Sequence, residues 1–185
     1  MGFLDRLERK IGKFAIKGLM MYIVALNMAV FLLDLFGGEL FQESVILKLA
    51  LIPEKVLAGE VWRLITFIFI PPPTTPLFIV FALILIYNFG TGLEEEWGSF
   101  KFNVYYFVGI LETVIGSMIT GYPHVVPHYL NLSLLFAFAR LYPNYIINIF
   151  FVLPVPIKYI AWVDWAFMGI SFLLGTGSTR IAVAA

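Results

Sequence analysis

The 185-residue chain contains no cysteine, which excludes disulfide staples, thiolate catalysis and zinc–thiolate sites. Charge is scarce as well. Only 13% of residues are charged, the formal net charge is zero, and no basic run is long enough to follow a phosphate backbone, so nucleic acid is not an expected partner. A cleavable signal peptide is also missing from the expected features, because the first apolar run follows a charged segment and is long enough to span a bilayer. No cofactor motif stands out, and no cofactor is expected.

What fills the chain instead is apolar. With 61% hydrophobic residues and a mean hydropathy of +0.94, it carries more apolar surface than one small soluble core can bury. The lipid bilayer is therefore its expected solvent. Residues 1–17 form the exception: Leu4, Leu7, Ile11 and Phe14 recur at helical spacing, with Arg6, Arg9, Lys10, Lys13 and Lys17 mostly around the other face. That pattern predicts an amphipathic helix lying on an anionic leaflet.

Residues 18–185 read as one transmembrane domain. A first span is expected over 19–36, followed over 37–75 by a loop whose short apolar runs between charges suggest a segment half sunk in the interface. Pro71-Pro72-Pro73 breaks the helix before a second span over 76–93. A third is expected over 102–120 and a short fourth over 125–141, which carries His128, Asn131 and Ser133 and suits the centre of a bundle. Prolines 143, 154 and 156 make 142–157 an interfacial or extended connection, and a fifth span fits 159–174. After Gly175-Thr176-Gly177-Ser178, residues 181–185 are too few to span, so a sixth element is either truncated or a stub on the bundle. The expected fold class is thus an all-α polytopic helix bundle of about five spans plus an incomplete sixth.

Orientation is expected from the Lys/Arg bias. A cytoplasmic N-terminus places Arg6, Arg9, Lys10, Lys13, Lys17, Lys101, Arg140 and Lys158 inside, leaving Lys48, Lys55, Arg63 and Arg180 outside. The membrane would be the plasma membrane of a prokaryote, or that of the endoplasmic reticulum or another organelle in a eukaryote.

Two motifs stand out within this frame. Gly59-Glu60-Val61-Trp62-Arg63-Leu64-Ile65-Thr66 places a charged, hydrogen-bonding pair before the second span, and that span ends in Gly90-Thr91-Gly92-Leu93-Glu94-Glu95-Glu96-Trp97-Gly98-Ser99. In order and motif the chain from residue 16 onward resembles the rhomboid superfamily, including its derlin-like and other inactive branches. The resemblance implies that Trp62-Arg63 locks the first loop. Arg63 suits that role, since its five donors can hold several carbonyls or a carboxylate at once. Glu94 and Gly98 join the same structural set, Glu94 turning inward from the Glu94-Glu95-Glu96 run.

The catalytic pattern of an active rhomboid protease is not matched. It needs a serine in a Gly-x-Ser-Gly setting, a histidine from the sixth span, and oxyanion donors on the second. Here the second span has no histidine and only a late Asn88, and the family's spacing from Glu94 puts Phe78 and Ala82 at the oxyanion positions. Ser133, in Asn131-Leu132-Ser133-Leu134, has no flanking glycine, and alternative registers put Leu132, Leu134 or His128 in its place. Ser133 remains a weak catalytic candidate beside its simpler role, a hydroxyl bonded to its own helix. The chain stops about where the sixth-span histidine would come. The resemblance therefore implies a noncatalytic protein that binds transmembrane helices of other proteins, as client-handling factor or subunit of a stable complex. The alternative is an intramembrane serine protease with a divergent or truncated active site, and a transporter-like or proton-conducting role is a third.

Other polar residues have two readings each. His124 and His128 have the spacing of metal ligands, but Pro127 intervenes and no third ligand is near, so no metal is expected. Glu112 in the third span is either a client- or proton-binding group or an interhelical hydrogen bond. Asp164 is expected to reach Lys158 or the interface. Gly109, Thr113, Ser117 and Gly121 form a seam of small residues, for packing within the bundle or, alternatively, against a partner.

Overall fold

A computed structural model of the chain describes residues 3–37, 44–123, 127–149 and 152–174. The anticipated sixth element, His124 and part of the first loop lie outside them. The described chain is an all-α membrane helix bundle with one small hairpin. Helix α1 covers Phe3–Ile11 and, after a 3₁₀ turn at Gly12–Phe14, leads into α2, Leu19–Phe36. The first loop contains three short helices, α3 (Val45–Leu49), α4 (Pro53–Leu57) and α5 (Arg63–Thr66), and a 3₁₀ turn at Phe67–Phe69. Long helices α6 (Pro76–Trp97) and α7 (Ser99–Thr120) follow, then α8 (His128–Leu141) and α9 (Ile157–Leu174).

Helices α2, α6 and α7 are each long and apolar enough to cross a membrane. Their continuous helical hydrogen bonding satisfies every mid-span backbone group internally, which is the condition for entering hydrocarbon. At 14 residues α8 is only about 21 Å long. It lies against α6, α7 and α9 and buries Leu130, Leu134, Leu135, Phe138 and Ala139, so a span too short for lipid is surrounded largely by protein.

The connection between α8 and α9 departs from pure helix. Strands β1 (Ile146–Ile149) and β2 (Leu153–Pro156) pair antiparallel, Ile147 opposite Val155. Pro154 and Pro156 alternate along β2, so their missing N–H donors both fall on the side away from β1. The sequence expectation of an extended connection becomes a hairpin because these prolines forbid helix yet leave one edge able to pair.

Gly98 alone separates α6 from α7. Its φ of 83° lies in the left-handed region that a side chain disfavours, which lets two long helices reverse direction over one residue.

Candidate functional site

The first loop is organised around one buried cation. Arg63 is only 2% exposed, and its Nε and Nη2 both meet Glu60 Oε2 at 2.7 Å. Its Nη1 donates to the carbonyls of Leu47 and Ala50, each at 2.7 Å. Glu60 stands three residues earlier, on the same face of the turn entering α5, so the pair forms locally before it reaches across the loop. Thr66, one turn further, donates to the Leu49 carbonyl at 2.9 Å. The end of α3 is thereby tied to α5, and carbonyls that α3 cannot satisfy gain partners.

Below the loop, Asn27 on α2 donates to its own helix at Ile23 and to the Ile68 carbonyl at 3.2 Å. A buried amide thus fastens the loop's 3₁₀ turn to the first span. Ala50, Leu51, Phe67 and Ile70 are fully buried against this frame. The Trp62 side chain stands outside it, 51% exposed, while its carbonyl accepts from Ile65 and Thr66 at the start of α5. Neighbouring residues of a helix point about 100° apart. Arg63 turns into the loop and Trp62 turns out.

A second polar knot closes the opposite end of the bundle. Glu94 Oε1 accepts from the Gly18 N–H at 2.8 Å and from the Ser99 hydroxyl at 2.6 Å. Asn103 faces Ile16 backbone to side chain twice: its amide donates to the Ile16 carbonyl at 2.8 Å, and its oxygen accepts from the Ile16 N–H at 3.3 Å. Lys101 and Asp5 form an ion pair at 2.8 Å. Glu95 and Glu96 remain exposed. The N-terminal helix is therefore anchored to the α6–α7 turn, with Arg6, Arg9, Lys10, Lys13 and Lys17 exposed.

Removing the Glu94 acceptor should free this anchor. In Glu94→Ala, trypsin should cut at Arg6, Arg9 and Lys10 several-fold faster than in the parent, with the bundle's unfolding temperature lowered by a few degrees at most. Unchanged cleavage would show that the Asn103 and Lys101 contacts suffice alone.

The remaining polar residues lie between these knots. Ser133 is half-buried and donates to the Leu130 carbonyl at 2.8 Å. His128, the described histidine, lies five positions earlier on the same helix, about 140° around it. Phe78 and Ala82, half-buried on α6, carry no polar side-chain atom. Asn131 is half-buried on α8. Asp164 does not meet Lys158, whose ammonium instead reaches Asn144 at 3.0 Å. Six residues apart on a helix, the two point about 120° away from one another, and Asp164 lies within the electrostatic range of His128.

The small-residue seam turns inward from Gly109 to Ser117, whereas Gly121 is exposed. A Cβ built on Gly109 would stand 2.6 Å from Leu130, Thr113 donates to the Gly109 carbonyl, and Ser117 donates to the Tyr122 carbonyl. Gly121 ends α7 with a φ of 68°. Glu112, one position from Thr113, lies instead on the exposed side of α7. Among the described residues no three His, Asp or Glu side chains gather as a metal site would require.

The sequence assigns no individual role to Glu60, Thr66 and Ser99, which lie within the two motifs, or to Asn27 and Asn103. The three-residue spacing of Glu60 and Arg63 is a local signal that could have found the first. Asn27 and Asn103 are polar residues within apolar runs, a signal of a buried partner but not of which one.

Compared with known families, residues 24–184 match the Der1-like family model, which covers the loop clamp, Glu94, most of α2 and the long helices from α6 to α9. No curated protein and no solved structure gives a significant match.

Proposed function

The chain belongs to the Der1-like family, the derlin branch of the rhomboid-like superfamily, and from that membership we propose that it is a noncatalytic protein that binds other membrane proteins, as a client-handling factor or as accessory subunit of a complex. Its integral membrane character follows from three apolar helices of spanning length together with the family. The observation that carries the proposal is the contrast between two side chains. Arg63 has all three guanidinium nitrogens engaged in ordering the first loop, whereas Ser133 directs its proton to its own helix. A nucleophile needs a base within hydrogen-bonding reach, and His128 is turned away from it.

The proposed orientation has the N-terminus and the Glu94 knot in the cytoplasm and the Arg63 loop on the far side. It is supported by the anchoring of α1, with its exposed cations, beside Lys101.

Purification of the full chain in mild detergent tests the binding role. A stoichiometric membrane protein should co-purify, or appear on crosslinking in the native membrane; a chain that stays alone under both conditions would overturn the proposal. A serine-directed fluorophosphonate should leave the protein unlabelled. Ser133→Ala should change stability by less than about 1 kcal/mol, since it removes one hydroxyl bonded to its own helix. Labelling that disappears in Ser133→Ala would make the protein a protease instead.

A further inference from the structure

Glu112 is an exposed carboxyl group in the middle of a membrane-crossing helix. It stands about 20 Å from the start and about 12 Å from the end of α7 at 1.5 Å per residue. On two methylenes it cannot reach either interface as a lysine would. No hydrogen bond or ion pair reaches it among the described residues. Tyr105, seven residues and two turns before it on the same face, lies within its electrostatic range.

Its surroundings on α7 are those of a helix side meant for apolar contact: Val108, Leu111, Ile115 and Ile119 are each at least 46% exposed. Glu112 is itself exposed on α7, and Tyr105 is within hydrogen-bonding reach of Ser133 on the neighbouring α8. Gly109 is already closed by Leu130 of α8, and Thr113 and Ser117 are buried, so the outer face of α7, not this inward side, is open to a partner.

We propose that the outer face of α7 docks a transmembrane helix that carries a lysine or arginine at mid-membrane depth, with Glu112 as its counter-charge. The proposal rests on the membrane-protein-binding role above and identifies the chemistry of one partner. A carboxylate facing hydrocarbon is unfavourable, and so is an ammonium on a single isolated helix; each removes the other's penalty when the two helices meet. Apolar residues above and below Glu112 supply the packing on which such a pair depends. Lipid alone complements the isoleucines and valine of this face but not the charge among them.

The full chain in lipid nanodiscs, carrying a donor fluorophore, can be titrated with two acceptor-labelled Leu/Ala transmembrane peptides that differ only in a central lysine or leucine. The lysine peptide should associate about tenfold more tightly, and Glu112→Leu should reduce that preference to near unity while leaving the unfolding temperature the same or higher. Glu112→Gln should leave an intermediate preference. Equal binding of the two peptides, or a preference that survives Glu112→Leu, overturns the proposal. So does a Glu112-dependent dimer counted by single-molecule bleaching without peptide, since the occupant is then a second copy. A native partner that co-purifies equally with the parent and with Glu112→Leu would defeat this inference while leaving the binding role intact.

Discussion

Arg63→Ala should lower the unfolding temperature of the detergent-solubilised protein by about 6–12 °C. The substitution removes four contacts at once: two to the Glu60 carboxylate and one each to the Leu47 and Ala50 carbonyls. Hydrogen bonds to charged groups contribute about 1.5–3 kcal/mol, and breaking one side of a buried pair costs about 3–5 kcal/mol because the survivor is left uncompensated. Glu60 is 34% exposed and can recover water, which places the loss near 3 kcal/mol. For a protein of this size each kcal/mol corresponds to roughly 2–4 °C. Arg63→Lys should recover only part of the loss, because a single ammonium cannot reproduce the planar fork that reaches a carboxylate and two carbonyls. Thermal unfolding followed by tryptophan fluorescence, with proteolysis of the first loop as a local probe, gives the measurement. A shift under about 2 °C for Arg63→Ala would mean that Thr66, Asn27 and the buried apolar residues hold the loop without it.

Gly90→Ala and Gly169→Ala should act with opposite sign. Both place a methyl group on a long helix, but the Gly90 Cβ would stand 1.9 Å from Met20 Cγ and 3.0 Å from Met20 Cβ, whereas nothing lies within 4 Å at Gly169. Met20 is 1% exposed, and its stem, unlike its tip, cannot swing away without shifting α2. Overpacking of this kind costs about 1–3 kcal/mol, against a gain of about 0.5–1 kcal/mol from replacing glycine in a helix. Gly90→Ala should therefore lose about 1–2 kcal/mol and Gly90→Leu should disrupt the α2–α6 contact outright. Gly169→Ala should be neutral or stabilise by up to about 1 kcal/mol. Equal unfolding temperatures for the two alanine variants would show that α2 and α6 are not held at this close approach. The test is independent of the loop clamp, since Met20 and Arg63 share no contact partner among the hydrogen bonds described.

Much of the bundle was legible because its signals are local. An apolar run of the right length commits its own backbone to a helix in lipid, so the first span coincides with α2 over Leu19–Phe36. The second and third were placed within a few residues, their ends shifting because α6 and α7 continue up to the single Gly98. Proline fixed the limits of the α8–α9 connection but not its pairing, since a strand's partner depends on a second strand.

The polar residues divide along the same line. Arg63 could be singled out by type and position, yet the Trp62 beside it faces outward, because the geometry of α5 separates the two. Glu94 could be singled out as the acid at a helix end. Its partner Gly18 lies 76 residues away, and Asn103 meets Ile16 across 87 residues. No local pattern encodes those distances.

From sequence alone came the solvent, the approximate helices and the family likeness, since hydropathy, proline and short motifs act within a few residues of themselves. Tertiary structure alone decided that Gly109 packs on Leu130 of α8 with Thr113 and Ser117 buried, that Glu112 faces outward and that α1 is anchored to the α6–α7 turn. Those outcomes depend on how each helix is rotated about its own axis against the others. That rotation is set by packing and by hydrogen bonds between segments far apart in the chain.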